Sequence, residues 1–157
     1  MMAYYKFSHF CGQLSLTKKS LCYIIGITIR TRGDEMFIEI DFNSDEAIYV
    51  QLRNQIILGI ATEQLKEGES LPSVRALAED IGINMHTVNK AYATLKQDGF
   101  LKVDRRRGAV IAIDIDKLRS MSNMREYMKP IVARGMVKGI SKEEAMQIVS
   151  DLYDELS

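Results

Sequence analysis

Arg105, Arg106 and Arg107 stand in succession ahead of Gly108, and nowhere else does the sequence set three cations side by side. A guanidinium offers a rigid fork of N–H donors that matches two phosphate oxygens at once, so such a run on an outward-facing turn suits a dense line of phosphates. A second set recurs at helical spacing: His86, Thr87, Asn89, Lys90, Thr94 and Gln97. On one helix face an imidazole or carboxamide can exchange hydrogen bonds with the edges of bases. Ser73 and Arg75 form a third, smaller set. Plainer roles compete: three arginines also suit a solvated turn, and Arg75 has Glu79 at i+4 for a surface ion pair.

Bond-breaking chemistry finds no such support. From Met36 onward the chain has one histidine, His86, no cysteine, and no glycine-rich phosphate loop, which leaves no nucleophile with a paired base. Asp151, Asp154 and Glu155 suggest a cation site, but carboxylates near an exposed helix end ordinarily face water. The expectation is a protein that is not an enzyme and has no catalytic residue, cofactor or metal.

Composition bounds the architecture without choosing among functions. The 157 residues are 46% hydrophobic and 27% charged with a formal net charge of zero, an ordinary globular balance in which any affinity for nucleic acid must come from local clustering. The sequence changes character at "RGDEM", residues 32–36. Of 21 basic and 21 acidic residues, five basic and two acidic precede Met36, which leaves 16 against 19 in the body, a net charge of −3. Both cysteines, Cys11 and Cys22, also precede it, so the body has no disulfide framework and suits a reducing cytoplasm.

Three readings compete for residues 1–35. "LCYIIGITI" follows Lys18 and Lys19 as the core of a signal follows its basic region, but it has nine residues and no small-residue cleavage site after it; a membrane span needs about 20. Its β-rich composition also suits an added strand. The third reading, preferred over the other two, is that Arg-Gly-Asp-Glu-Met is the translation of a purine-rich ribosome-binding sequence just ahead of a start codon. On it, translation starts at Met36 and residues 1–35 are a non-native extension.

The elements that must position the three polar sets are well punctuated. "MFIEIDF" reads as a short strand or an extended arm. Ile48, Leu52, Ile56 and Ile60, with Val50, Ile57 and Leu65, predict a core-facing helix over roughly 46–65 that Gly68 stops. Ser73 caps a second helix with Val74, Leu77, Ala78 and Ile81 on its buried face, ended by Gly82. After Ile83, Asn84 caps a third, whose apolar stripe is Val88, Ala91, Tyr92 and Leu95. Two short helices across a glycine turn, the second polar on its outer face, make a helix-turn-helix. "FLKVD" and "AVIAID" flank the arginines as a hairpin over 100–113, so the order is that of a winged helix with the arginines at the tip of the wing.

These residues resemble the GntR-type bacterial transcription regulators, through "IYVQLRNQI" at 48–56, "LPSVRALAEDIGI" at 71–83, "TVNKAYATLKQDGFL" at 87–101 and "RRRGAV" at 105–110. The "IN..TVNKAY" stretch and the short tail are most similar to the YtrA subfamily, often linked to genes for ATP-driven membrane transporters. The resemblance implies that Ser73, Arg75, His86, Thr87, Asn89, Lys90, Arg105, Arg106, Arg107 and Gly108 contact DNA. Two places depart from the family: Ala47 stands where it usually has proline, and Asn84-Met85-His86 where it has Asn-Pro-Asn. His86 changes a side chain expected in the groove, so no operator sequence is implied.

Residues 114–157 read as two amphipathic helices. The first, over 116–138, carries Leu118, Met121, Met124, Met128, Ile131 and Val132, interrupted by Pro130 and weakened by Gly135; the second opens with a capping box from Ser141 to Glu144 and carries Ala145, Ile148, Val149, Leu152 and Leu156. Two such helices enclose no drug-sized cavity, and their stripes suit a partner chain. The fold expected is mainly α with a small β-hairpin: a winged helix-turn-helix over 36–113 and a short two-helix dimerisation tail over 114–157. The function expected is a cytoplasmic, homodimeric repressor on double-stranded DNA with an inverted-repeat operator, without membrane association and with no effector legible. The alternative is a winged-helix module that binds another protein through the polar face of its third helix.

Overall fold

A computed structural model describes residues 24–30 and 35–156. Strand β1 (Ile24–Arg30) lies antiparallel to β2 (Glu35–Asp41), with Ile24 opposite Asp41 and Arg30 opposite Glu35. Of the segment before Met36, β1 and Glu35 are thus described, while residues 1–23 and 31–34, both cysteines among them, lie outside the described residues. Along β2 the side chains alternate, Ile38 and Ile40 buried and Phe37 exposed, as the two-residue period of a strand requires.

Helix α1 (Ile48–Ala61) buries Leu52 and Ile56 in the same core as Ile38 and Ile40. It is shorter at both ends than the expected span of 46–65. At its end the Thr62 hydroxyl donates to the Leu58 carbonyl at 2.9 Å, Glu63 turns into the left-handed region at φ 58°, and the Leu65 N–H returns to the Gly59 carbonyl at 2.8 Å. Leu65 is nonetheless buried. The apolar spacing outlives the helix because a turn delivers Leu65 to the same core.

Gln51, on the second turn of α1, is the buried polar side chain among the described residues. Its Oε1 accepts from the Asp41 N–H at 2.9 Å, and its Nε2 donates to the Asp41 carbonyl at 3.0 Å and the Glu46 carbonyl at 2.8 Å. One amide therefore ties the end of β2 and the loop after it to α1. Gln51→Ala is expected to lower stability by about 1–3 kcal/mol, since it strands three part-buried backbone groups. Gln51→Glu should cost more, because it keeps the acceptor but sets a carboxylate against two carbonyls. Urea denaturation reads both; two wild-type midpoints would rule out a structural role for the clamp.

Helices α2 (Val74–Ile81) and α3 (Met85–Gln97) form the helix-turn-helix. Ser73 Oγ accepts from the Ala76 N–H at 3.1 Å and Asn84 Oδ1 from the His86 N–H at 2.8 Å, so both expected caps form. Between the helices Gly82 adopts φ 75°, and the Ile83 N–H closes the turn on the Ala78 carbonyl. A longer link comes from Tyr92 in the core, whose hydroxyl donates to the Pro72 carbonyl at 3.0 Å. Burial pushes its pKa well above the usual phenol value, which keeps it a neutral donor.

Strands β3 (Leu101–Asp104) and β4 (Gly108–Ile111) form the wing, with Leu101 opposite Ile111 and Asp104 opposite Gly108. A third run joins them. Residues 68–71 lie antiparallel to β4 through Leu71 N–H to Ala109 O, Ile111 N–H to Glu69 O and Gly68 N–H to Ile111 O, at 2.8–2.9 Å.

Helices α4 (Lys117–Val137) and α5 (Lys142–Leu156) make the tail. Pro130 lies inside α4, which runs through it, a correction to the interruption expected there; the proline withholds one N–H, but the turns on either side still bond. Gly135 is a packing site, because a Cβ there would lie 3.4 Å from Ile140 Cδ1. Gly139, at φ 84°, reverses the chain, and the Ile140 N–H bonds the Gly135 carbonyl. The capping box then opens α5: Ser141 N–H to Glu144 Oε2 at 2.8 Å and Glu144 N–H to Ser141 Oγ at 3.1 Å; donation to the Glu144 carboxyl from the Ser141 backbone N–H, then from its side chain, holds that carboxyl below its usual pKa. The link to the winged domain is bonded at several points: Ala112 N–H to Phe100 O, Asp114 N–H to Gly99 O, and Arg119 Nη2 to Gln97 O at 3.1 Å.

Candidate nucleic-acid interface

Burial of Val88, Ala91, Tyr92 and Leu95 fixes how α3 is turned about its axis. His86, Asn89, Lys90 and Gln97 are consequently exposed, and Thr87 and Thr94 half-exposed. The helix starts at Met85 without the proline of the family pattern, its first turn held by Asn84. Thr94 donates back to the Lys90 carbonyl at 3.0 Å, so its hydroxyl serves the helix. His86, Asn89 and Gln97 project without that constraint, on a face where an imidazole and two carboxamides supply both donors and acceptors.

Lys90 has a neighbour that spacing did not reveal. Its ammonium lies 3.8 Å from the centroid of the Tyr49 ring, on α1. Tyr49 is half-buried and packs against the core. Nothing local in the sequence signals this pair, since 41 positions separate its members and the packing of α1 on α3 joins them.

Ser73 is exposed at the start of α2, its hydroxyl engaged as the cap. Arg75, two residues on, pairs with Glu79 at 3.0 Å, yet its side chain is 80% exposed and that of Glu79 66%. A pair so open to water holds its partners weakly and leaves the guanidinium able to exchange toward a phosphate. The Tyr92 bond to Pro72 places this end of α2 against α3.

At the wing tip the three arginines are not equivalent. Asp104 Oδ1 accepts the backbone N–H groups of both Arg106 and Arg107 at 2.8 Å, which holds its carboxyl below the usual range. Gly108 takes φ 76° at the end of the three-residue loop, with nothing within 4 Å of where a Cβ would stand; its part is to make the turn. Arg107 folds back, Nη2 donating to the Gly68 carbonyl. Arg105 and Arg106 are exposed, and among the described residues neither guanidinium makes such a bond. Sequence reasoning ranked the three alike and missed Asp104, whose place at the first corner of the turn is a residue preference that could have flagged it.

Among the described residues, no group of three or more His, Cys, Asp or Glu is placed to hold a metal ion, and no helix is long and apolar enough to cross a membrane. Near the end of α5, Asp151 accepts from Gln147 at 2.7 Å.

Known proteins share this arrangement. A family model described as bacterial regulatory proteins, gntR family, matches residues 45–111. The HTH-type transcriptional repressor YtrA of Bacillus subtilis (strain 168) is 30% identical over 118 residues, covering 73% of this chain and 91% of that protein. The structure of YtrA from Sulfolobus acidocaldarius, a GntR-family transcription factor, is 39% identical over 64% of this chain and 97% of that one, with a TM-score of 0.53. A transcriptional antiterminator from Listeria monocytogenes EGD-e superposes with a TM-score of 0.66 at 28% identity, over 74% of this chain and 90% of that one. The capped helix-turn-helix, the arginine-tipped wing and these likenesses agree: the chain belongs to the GntR family of non-enzymatic DNA-binding transcription regulators, as a YtrA-like member.

Proposed function

We propose that this regulator is a cytoplasmic homodimer that represses its own operon by binding an inverted-repeat operator, and that the operon encodes an ATP-driven membrane transporter. The observation that carries the DNA reading is the outer face of α3, which the core packing turns outward with His86, Asn89, Lys90 and Gln97 on it. In this reading His86, Thr87 and Asn89 read base edges in the major groove, and Lys90, Ser73 and Arg75 meet phosphates. Arg105 and Arg106 reach the backbone or minor groove beside the site, while Arg107 and Gly108 set the shape of the tip.

Support for a dimer comes from the tail. No residue of α4 or α5 is buried, and Leu118 is 82%, Met136 70% and Ile131 65% exposed. Soluble monomers rarely leave so extended an apolar surface open. Two protomers related by a two-fold axis would set two recognition helices in successive major grooves. Repression rests on the likeness to YtrA of Bacillus subtilis, a transcriptional repressor, and the transporter operon on the resemblance of the "IN..TVNKAY" stretch and the short tail to the YtrA subfamily.

Footprinting on DNA upstream of the gene, with binding measured across a salt series, tests the reading. A protected inverted repeat is expected, with log affinity falling against log salt by about 0.9 for each phosphate contacted. Binding that is equally weak on every duplex, with no protected site, would sink it and favour a protein-binding role for the outer face of α3.

A further inference from the structure

The Tyr49–Lys90 contact reaches beyond the assignment of Lys90 to DNA and rests on it. We propose that Tyr49 is a positioning residue for DNA binding: its ring holds the Lys90 ammonium in place beside the outer face of α3 in the bound state.

Lys90 is exposed, and its ammonium sits 3.8 Å from the ring centroid, well inside the distance at which the negative face of an aromatic ring attracts a cation. A free lysine side chain samples many rotamers and loses that freedom when it grips a phosphate. Here much of the ordering is done before DNA arrives. The ring itself is fixed, because Tyr49 lies in the first turn of α1, half-buried against the core, and α1 packs on α3. An ammonium carries three N–H donors around its axis, so contact with a ring on one side leaves donors for a phosphate oxygen on another. No carboxylate supplies this restraint, since among the described residues Lys90 forms no ion pair.

The test compares variants at both positions on two probes: a duplex selected in vitro by the wild-type protein, and a random-sequence duplex. Lys90→Ala is expected to weaken binding to both and to flatten the salt dependence by about 0.9. Tyr49→Phe keeps the ring and should match the wild type. Tyr49→Leu should weaken binding about two- to fivefold on both probes, the range of an exposed cation–π contact, and should add nothing further to Lys90→Ala. Because Tyr49 also packs, replacement by trifluorophenylalanine, which drains charge from the ring face while keeping its shape, is the control if Tyr49→Leu loses stability; it should reproduce the same loss. If Lys90→Ala weakens binding while the fluorinated ring leaves it unchanged or tightens it, the proposal is overturned and the DNA role of Lys90 stands. If Lys90→Ala leaves binding unchanged, both fall together.

Discussion

Leu152→Asp is expected to yield a folded monomer that no longer holds its operator. Leu152 lies on α5 with half its surface open to water, so within one chain the new carboxylate remains solvated and the winged domain is untouched. In a dimer joined through the tail, each protomer would bury that charge without a partner. The cost is about 3 kcal/mol or more per carboxylate, enough to weaken association by at least roughly a hundredfold. Operator affinity should fall with it, since a monomer engages one half-site where the dimer engages two. Sedimentation or light scattering gives the mass, and a thermal melt shows that the fold survives. A variant that stays dimeric and binds as before would move the dimer interface away from α5.

The second large effect separates the wing from α3. Replacing Arg105 and Arg106 by alanine removes two exposed guanidinium groups, and should weaken binding to operator and random DNA alike. The loss is expected to flatten the salt dependence by about 0.9 per phosphate contact, or roughly 1.8 if both arginines touch phosphate. His86→Ala and Asn89→Ala should do the reverse: the salt dependence stays, and preference for operator over random DNA drops by about 1–3 kcal/mol for each base edge no longer read. Arg107→Ala should resemble neither. Its guanidinium braces the tip against Gly68, so the variant should loosen the wing and show its effect first in stability. Competition assays at two salt concentrations distinguish the classes; equal loss of specific and non-specific binding in both would mean that α3 does not read bases.

The helix-turn-helix was legible because its signals are local. Ser73 and Asn84 bond N–H groups within three residues of themselves, and Gly82 needs only its own backbone. The wing was legible for the same reason, three arginines and a glycine between two β-rich runs. What escaped was non-local or too short to carry a pattern. Residues 68–71 pair with β4 over so few positions that no alternation can announce a strand. The end of α1 was hidden because Leu65 keeps helical spacing in a turn whose left-handed residue is a glutamate, not a glycine. Gln51 looks like any polar position on a helix until Asp41 and Glu46 fold over it. In the site, residue types pointed to Lys90 and the arginines, but the ring beneath one and the carbonyl beside another come from elements distant in sequence.

The bonded link between Phe100 and Arg119 bears on how far apart two half-sites can lie. A loose tether would let each winged domain swivel, and such a protein would accept inverted repeats over a wide range of gaps. Here Ala112 and Asp114 are hydrogen-bonded to Phe100 and Gly99, and Arg119 grips the end of the recognition helix at Gln97. Gly99 is hemmed in as well, since a Cβ on it would fall 2.8 Å from that of Asp114. Joined through its tail, the pair would then act as a caliper with a set jaw width. Lengthening the operator's central gap by half a helical turn, about five base pairs, puts the second half-site on the far side of the duplex, where a caliper of this kind cannot follow.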